Sequence, residues 1–235
     1  MKRSFAYPYG VWMAVFIIAP ILLVVLYAFR SADGGFTLSN FSCLPGCLPI
    51  FARSFWLALL STVMCLVLGY PMAYIMSRLS PSRQSLCMML IMLPMWMNFL
   101  LRTMAWQVLL EKKGVINTIL QSLGFSGLRL INTPAAIVMG MVYDFLPFMV
   151  MPIYNVLAKI DDRVIEAARD LGANNFQVFR YIILPLSVPG IVSGVTMVFV
   201  PALTTFVISN MLGGGKILLI GNVIEQEFTV GNNWH

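Results

Sequence analysis

Five stretches of the chain carry almost no charge, and each is long enough to cross a bilayer as a helix. They run over residues 8–29, 55–77, 86–110, 134–157 and 186–208. About 20 apolar residues span the hydrocarbon core. In lipid every backbone polar group must be satisfied within the protein, so only helices and closed barrels cross. Barrel strands are about 10 residues long and alternate in polarity. These runs are longer and continuously apolar. The expected fold class is all-α: a polytopic helical membrane protein, with one transmembrane domain over residues 1–235. Composition agrees. Hydrophobic residues make up 60% of the chain and charged residues 10%, against about 45–50% and 25% in an average soluble domain.

The runs differ in detail. The first follows Lys2 and Arg3 and is too long for the apolar region of a cleavable signal peptide, so it is expected to stay as a membrane helix. Tyr7, Tyr9 and Trp12 suit an interfacial aromatic belt. The third is apolar from Leu86 to Leu101, stops at Arg102, and is expected to continue as a helix to Leu110. The fourth contains a single charge, Asp144. With the N-terminus inside, eight basic residues fall on the inner side and seven on the outer side, so the positive-inside rule hardly chooses an orientation. No basic cluster suggests a nucleic-acid partner or a polybasic lipid-binding run. Membrane lipid is the solvent these runs require.

Between the fourth and fifth runs lies a polar segment, residues 158–185. From Glu166 to Pro185 it reads EAARDLGANNFQVFRYIILP. Residues Arg163 to Leu171 are helix formers, and Asp161 or Asp162 can cap their start. Ala167 and Ala168 present a small surface that another protein can approach closely. Gly172 can take a left-handed conformation and end the helix. Pro185 marks entry to the next run. A short helix, a turn and a second helix outside the bilayer are expected. An ordinary amphipathic connector would need none of these residues in register.

This segment resembles the EAA loop of ABC-importer permeases, EAA-x3-G-x9-I-x-LP. All seven fixed positions match: Glu166, Ala167, Ala168, Gly172, Ile182, Leu184 and Pro185. The resemblance extends through LGYPMAYIMSRL, LPMWMNFLLRTMAW, LPFMVMPIYNVLAKID and LGGGKILLIGNVI, and is nearest to the permeases of spermidine/putrescine importers. It implies the type I, EAA-loop permease fold in a bacterial inner membrane, with the N-terminus and residues 158–185 in the cytoplasm. It also implies a second homologous permease, a dimeric cytoplasmic ABC ATPase, an extracytoplasmic substrate-binding protein and a polyamine cargo. The permease itself would be no enzyme and hold no cofactor, because ATP binds the partner subunit. Such permeases carry a further membrane helix after the outer loop. The segment Ser209 to His235 is not a good sixth span, so the chain is expected either to continue past His235 or to be a shortened permease.

The cargo route is less legible. Asp144 lies mid-span, where an acid costs roughly 2.5–3.5 kcal/mol. Pro147 cannot donate to the Tyr143 carbonyl. An acid, a bare carbonyl and the Tyr143 ring together suit a substrate ammonium. The competing reading makes Asp144 a structural acid bonded to a neighbouring helix. Trp96 and Asn98, with Arg102 one turn on, either line the outer pathway or anchor the helix at the interface. Cys43 and Cys47 flank Leu-Pro-Gly, where a disulfide would need an oxidising exterior. The one histidine, His235, leaves no metal-ligand set. An intramembrane enzyme would need a nucleophile–base pair or metal cluster that the runs lack. A passive channel would not need an EAA loop. A related permease for an anion or a metal chelate is the alternative within transporters.

Overall fold

A computed structural model describes residues 6–30, 35–38, 41, 44–124 and 130–231. Cys43, one half of the possible Cys43–Cys47 disulfide, falls outside them. The chain divides into two compact units, Met1–Pro49 with Ile224–His235, and Ile50–Val223. In the first unit α1 (Ala6–Met13) passes through a π-helical turn, Ala14–Ile18, into α2 (Ala19–Ala28). The apolar span so formed, Tyr9–Ala28, is close to the expected 8–29. It ends where the Phe29 ring stacks on Phe36, with centroids 5.5 Å apart.

Helix α3 (Leu44–Ser77) is longer than the expected 55–77. It is followed by α4 (Pro81–Trp96), α5 (Phe99–Leu110) and α6 (Val115–Ser122). The expectation of one helix across 86–110 is corrected here. The α4 segment and the α5–α6 segment meet at 90°. Met97 is extended (φ −76°, ψ 146°). The Asn98 side chain then caps α5, accepting from the amides of Leu100 at 2.9 Å and Leu101 at 3.4 Å. An Asn cap supplies acceptors for the free amides of a new helix. The hydrophobicity of the run is continuous; its hydrogen bonding is not.

Helix α7 (Pro134–Leu157) keeps the expected limits of the fourth run. Next come α8 (Asp162–Asp170), α9 (Asn175–Val178), a π-helical turn over Phe179–Ile183, and α10 (Leu184–Thr204). The fifth run is also corrected: one continuous helix extends from Asn175 to Thr204, and it stops before Ile208. Pro185 therefore lies inside this helix. It has no amide to donate, and the widened turn just before it is a local adjustment of the kind that accommodates such a defect. Thr205 is extended (φ −65°, ψ 137°), and α11 (Val207–Leu212) and α12 (Ile220–Gln226) follow.

The centre of the second unit is α7. Ile137, Met141, Met149, Val150 and Ile153 are fully buried. Small residues bring its neighbours close. A Cβ on Gly190 of α10 would sit 2.9 Å from the Pro152 carbonyl oxygen, and one on Gly194 would sit 2.8 Å from Met149 Sδ and 3.1 Å from its carbonyl oxygen. From α3, Ser61 Oγ donates to Met141 Sδ at 3.3 Å, and Gly69 faces Met149 and Val150. From α11, Ile208 and Leu212 close over Gly140. Lipid is as apolar as leucine, so helices in a bilayer associate by such close packing and not by hydrophobic burial. Gly190→Leu should therefore cost about 1–3 kcal/mol and lower the thermal midpoint of the detergent-solubilised protein. Val192→Ala, on the exposed face of the same helix, should leave that midpoint nearly unchanged.

Candidate functional site

The loop after α7 is built by local hydrogen bonds. Asp161 Oδ1 accepts from the Arg163 amide at 3.0 Å and caps α8. At the other end Gly172 has φ +83°, a left-handed conformation that L side chains rarely adopt. The Ala173 amide donates to the Ala168 carbonyl at 3.0 Å and the Gly172 amide to the Arg169 carbonyl at 2.9 Å. This pair of bonds is the Schellman arrangement that satisfies the last carbonyls of a helix. Asn174 and Gln177 then form a capping box, each accepting from the other's amide at 2.8 Å. The expected helix, turn and second helix are all present; the second helix is continuous with α10.

One side of this loop is buried. Ile165, Val178 and Ile183 sit in the core, and Ala168 packs against it. The other side is open: Glu166, Ala167 and Gly172 are exposed, with Val164, Leu171 and Phe176 beside them. Leu171 is 90% exposed on a polar segment. Of the two alanines, Ala167 is the one available to another protein. Ile182 is half-buried, while Leu184 and Pro185 are exposed where the helix continues into α10.

A cavity of about 480 Å³ opens beneath α8, lined by Tyr74, Arg78, Asp162, Glu166, Arg169 and Asn175 among others. Arg78 Nη1 meets Asp162 Oδ1 at 2.5 Å across it. This pair is exposed and contributes little energy, but it marks that the end of α3 and the start of α8 share one end of the bundle. The same end is tied by Tyr154 Oη donating to Gln84 Oε1 at 2.9 Å, and by Tyr70 and Ser187 hydroxyls 3.1 Å apart. Gln84 and Ser187 lie outside the quoted motifs, so the sequence offered no signal for which partners Tyr154 and Tyr70 would take.

Asp144 is not open to a cation. It is 2% exposed, and its Oδ1 lies 2.5 Å from Nε of Arg102, itself 8% exposed. The guanidinium also donates from Nη1 to the Pro94 carbonyl at 2.7 Å, and sits over the rings of Phe99 and Tyr143 at 5.8 and 5.7 Å. Tyr143 packs edge-on against Trp106 at 5.2 Å. The ammonium seat expected at Asp144 and Tyr143 is thus occupied by the protein's own cation. Asn98 is spent on the α5 cap, and Trp96 is 77% exposed at the end of α4. Trp96, Asn98, Tyr143 and Asp144 do not converge on one open route; they surround an elbow. Arg102 joins both sides of that elbow to α7. A signal existed: Arg102 and Asp144 are lone charges of opposite sign in two apolar runs. Among the described residues, no three His, Cys, Asp or Glu side chains are placed to hold a metal.

A family described as binding-protein-dependent transport system inner membrane component matches residues 65–229. The chain belongs to that family. It is a permease, a transport subunit of an ABC importer and not an enzyme, and a multi-pass inner-membrane protein. It is 41% identical over 235 residues to the spermidine/putrescine transport system permease protein PotB of Haemophilus influenzae, covering 95% of this permease and 82% of that protein. The Escherichia coli protein of that name is 39% identical over 233 residues, covering 95% and 85%. A crystal structure of a bacterial ABC transporter involved in the import of the acidic polysaccharide alginate shares the fold, with TM-score 0.74 at 18% identity, covering 99% of this permease and 85% of that chain.

Removing one member of the Arg102–Asp144 pair leaves a buried charge without its partner. Asp144→Leu or Arg102→Met alone should destabilise the solubilised permease by about 3 kcal/mol. The double variant should recover most of that loss, because neither charge then remains. A denaturation double-mutant cycle measures the difference.

Proposed function

We propose that this permease imports polyamines, spermidine or putrescine, under the drive of an ABC ATPase dimer that docks on residues 158–185. Support for the cargo comes from the 39–41% identity to the PotB proteins over 95% of the chain. Support for the docking comes from the loop's geometry. The capped helix α8 turns Ala167 and Val164 outward from a polar segment, and the turn and α9 after it add the apolar side chains of Leu171 and Phe176. The loop lies on the cytoplasmic side, where ATP is, which puts the N-terminus in the cytoplasm as well. ATP is bound by the partner, and the permease needs no cofactor of its own. A second homologous permease completes the pathway, and an external binding protein delivers the cargo.

In this reading α8 receives the movement of the ATPase and passes it to α7, only four residues upstream. The capping bonds matter because a frayed helix would absorb the displacement. Glu166, facing the cavity with Arg78 and Arg169, orients α8 on the bundle. Arg102 and Asp144 hold the elbow to α7, so that movement reaches the outer half of the pathway.

Proteoliposomes holding the full complex should take up spermidine or putrescine only when ATP and the binding protein are present. Uptake of a different solute with no polyamine uptake would overturn the cargo. Ala167→Trp should insert normally, leave the ATPase able to hydrolyse ATP, and cut ATP-driven uptake by at least tenfold. Normal uptake by that variant would overturn the docking site.

A further inference from the structure

Helix α6 has three distinct sides, and only one of them is buried. At 3.6 residues per turn Ile116, Asn117 and Leu120 fall together. Asn117 is buried, the other two are half-buried, and Ile116 packs against the core. Val115 and Ile119 form a second side, which Leu123 continues just past the helix, and each of the three is more than half exposed. Thr118, Gln121 and Ser122 form a third side, polar and exposed.

The turn before the helix fixes it in this attitude. The Glu111 carbonyl accepts from the Gly114 amide at 2.8 Å and from Asn117 Nδ2 at 3.0 Å. That turn carries Lys112 and Lys113, both exposed, and among the described residues neither lies within ion-pair distance of a carboxylate. They line a cavity with Asn132, two residues before α7 begins, and so stand at the end of the bundle opposite α8. The direction of the segment follows from the elbow. Helix α4 runs alongside α7 in the opposite sense, tied by Gln84 to Tyr154 and, through Arg102, by Pro94 to Asp144. The 90° bend then turns the α5–α6 segment away from the axis of α7 and toward the membrane plane.

We propose that α6 lies flat at the outer surface of the membrane, with Val115, Ile119 and Leu123 in the hydrocarbon boundary and Lys112 and Lys113 on the phosphates of anionic phospholipid. The choice of leaflet rests on the proposed orientation; the lipid contact does not. A helix in the interface has protein beside it, hydrocarbon below and water above, which is the order of the three sides of α6. Exposed apolar residues of α5, Leu101, Met104 and Val108, lead up to the lysines, so one apolar surface continues past them onto α6. Lysines on the outer side run against the positive-inside tendency. Lipid phosphate gives them the counter-charge that no described carboxylate supplies. Anionic phospholipid then holds the outer end of the elbow, so that movement of α7 flexes the elbow instead of sliding it through the membrane.

The test uses the full complex in nanodiscs, with a nitroxide on a single cysteine of an otherwise cysteine-free permease. At Ile119→Cys the ratio of oxygen to nickel-chelate collisions should exceed that at Gln121→Cys by about threefold or more. Val115→Cys should behave as Ile119→Cys, and adding the binding protein should change neither. Replacing anionic by zwitterionic lipid should lower the ratio at Ile119→Cys, and Lys112→Gln/Lys113→Gln should remove that dependence on lipid charge. Labels at both apolar positions that the chelate reaches freely overturn the proposal, because that side is then in water. So do labels shielded from oxygen and chelate alike, because that side is then covered by protein. A ratio indifferent to lipid charge while both lysines are present overturns their assignment to phosphate. The leaflet is scored separately: Ser122→Cys should react with an impermeant maleimide added outside spheroplasts. Reaction from the inside alone overturns the proposed orientation and leaves the lipid contact standing.

Discussion

Close packing around α7 is the constraint on which the second unit depends. The helix is held by α10 through Gly190 and Gly194, by α3 through Ser61 and Gly69, and by α11 across Gly140. Side chains larger than hydrogen at the α10 contacts would push the helices apart. Because a bilayer supplies no hydrophobic drive between helices, this contact geometry carries the association. It also fixes what lies at either end. The loop at 158–185 follows directly from the last turn of α7. The turn at Asn132, bonded to Leu212, leads directly into its first.

The ion pair at mid-span has a different role. Arg102 spans the break between α4 and α5, touching the Pro94 carbonyl on one side and Asp144 of α7 on the other. A 90° bend in a membrane run exposes backbone groups that lipid cannot satisfy. The Asn98 cap and the Arg102 contact satisfy part of them. A charged pair in place of apolar contacts gains little net stability. It does specify one angle, since a guanidinium with four fixed neighbours has few alternatives. The bend is thereby tied to the helix that leads to the loop at 158–185.

Much of this was legible in the sequence. The charge-free runs located the membrane helices, and the limits of α7 match because Pro134 and the polar residues after Leu157 both punctuate it. The helix–turn–helix of residues 158–185 was legible because its residues have local jobs: Asp161 caps, Gly172 adopts positive φ, and Ala167 faces outward. The elbow was not. Leu86 to Leu110 reads as one helix because hydropathy does not register that Asn98 can start a new one. The start of the α10 helix was missed for the opposite reason: Pro185 reads as a beginning, and a π-helical turn lets the helix pass through it. Asp144 was placed in the right span with the wrong partner, since pairing between runs is a property of packing and not of spacing.

In the proposed function α8 and α7 move as one body that carries ATPase motion toward the outer face. Spin labels at Arg163 on α8 and Ala135 at the start of α7, in the assembled complex, report this as a distance. The account predicts one narrow distribution that does not change between the nucleotide-free and ATP-bound states, while the distance from either label to the ATPase partner does change. A shift between the two labels approaching a helical turn, about 5.4 Å, would contradict it.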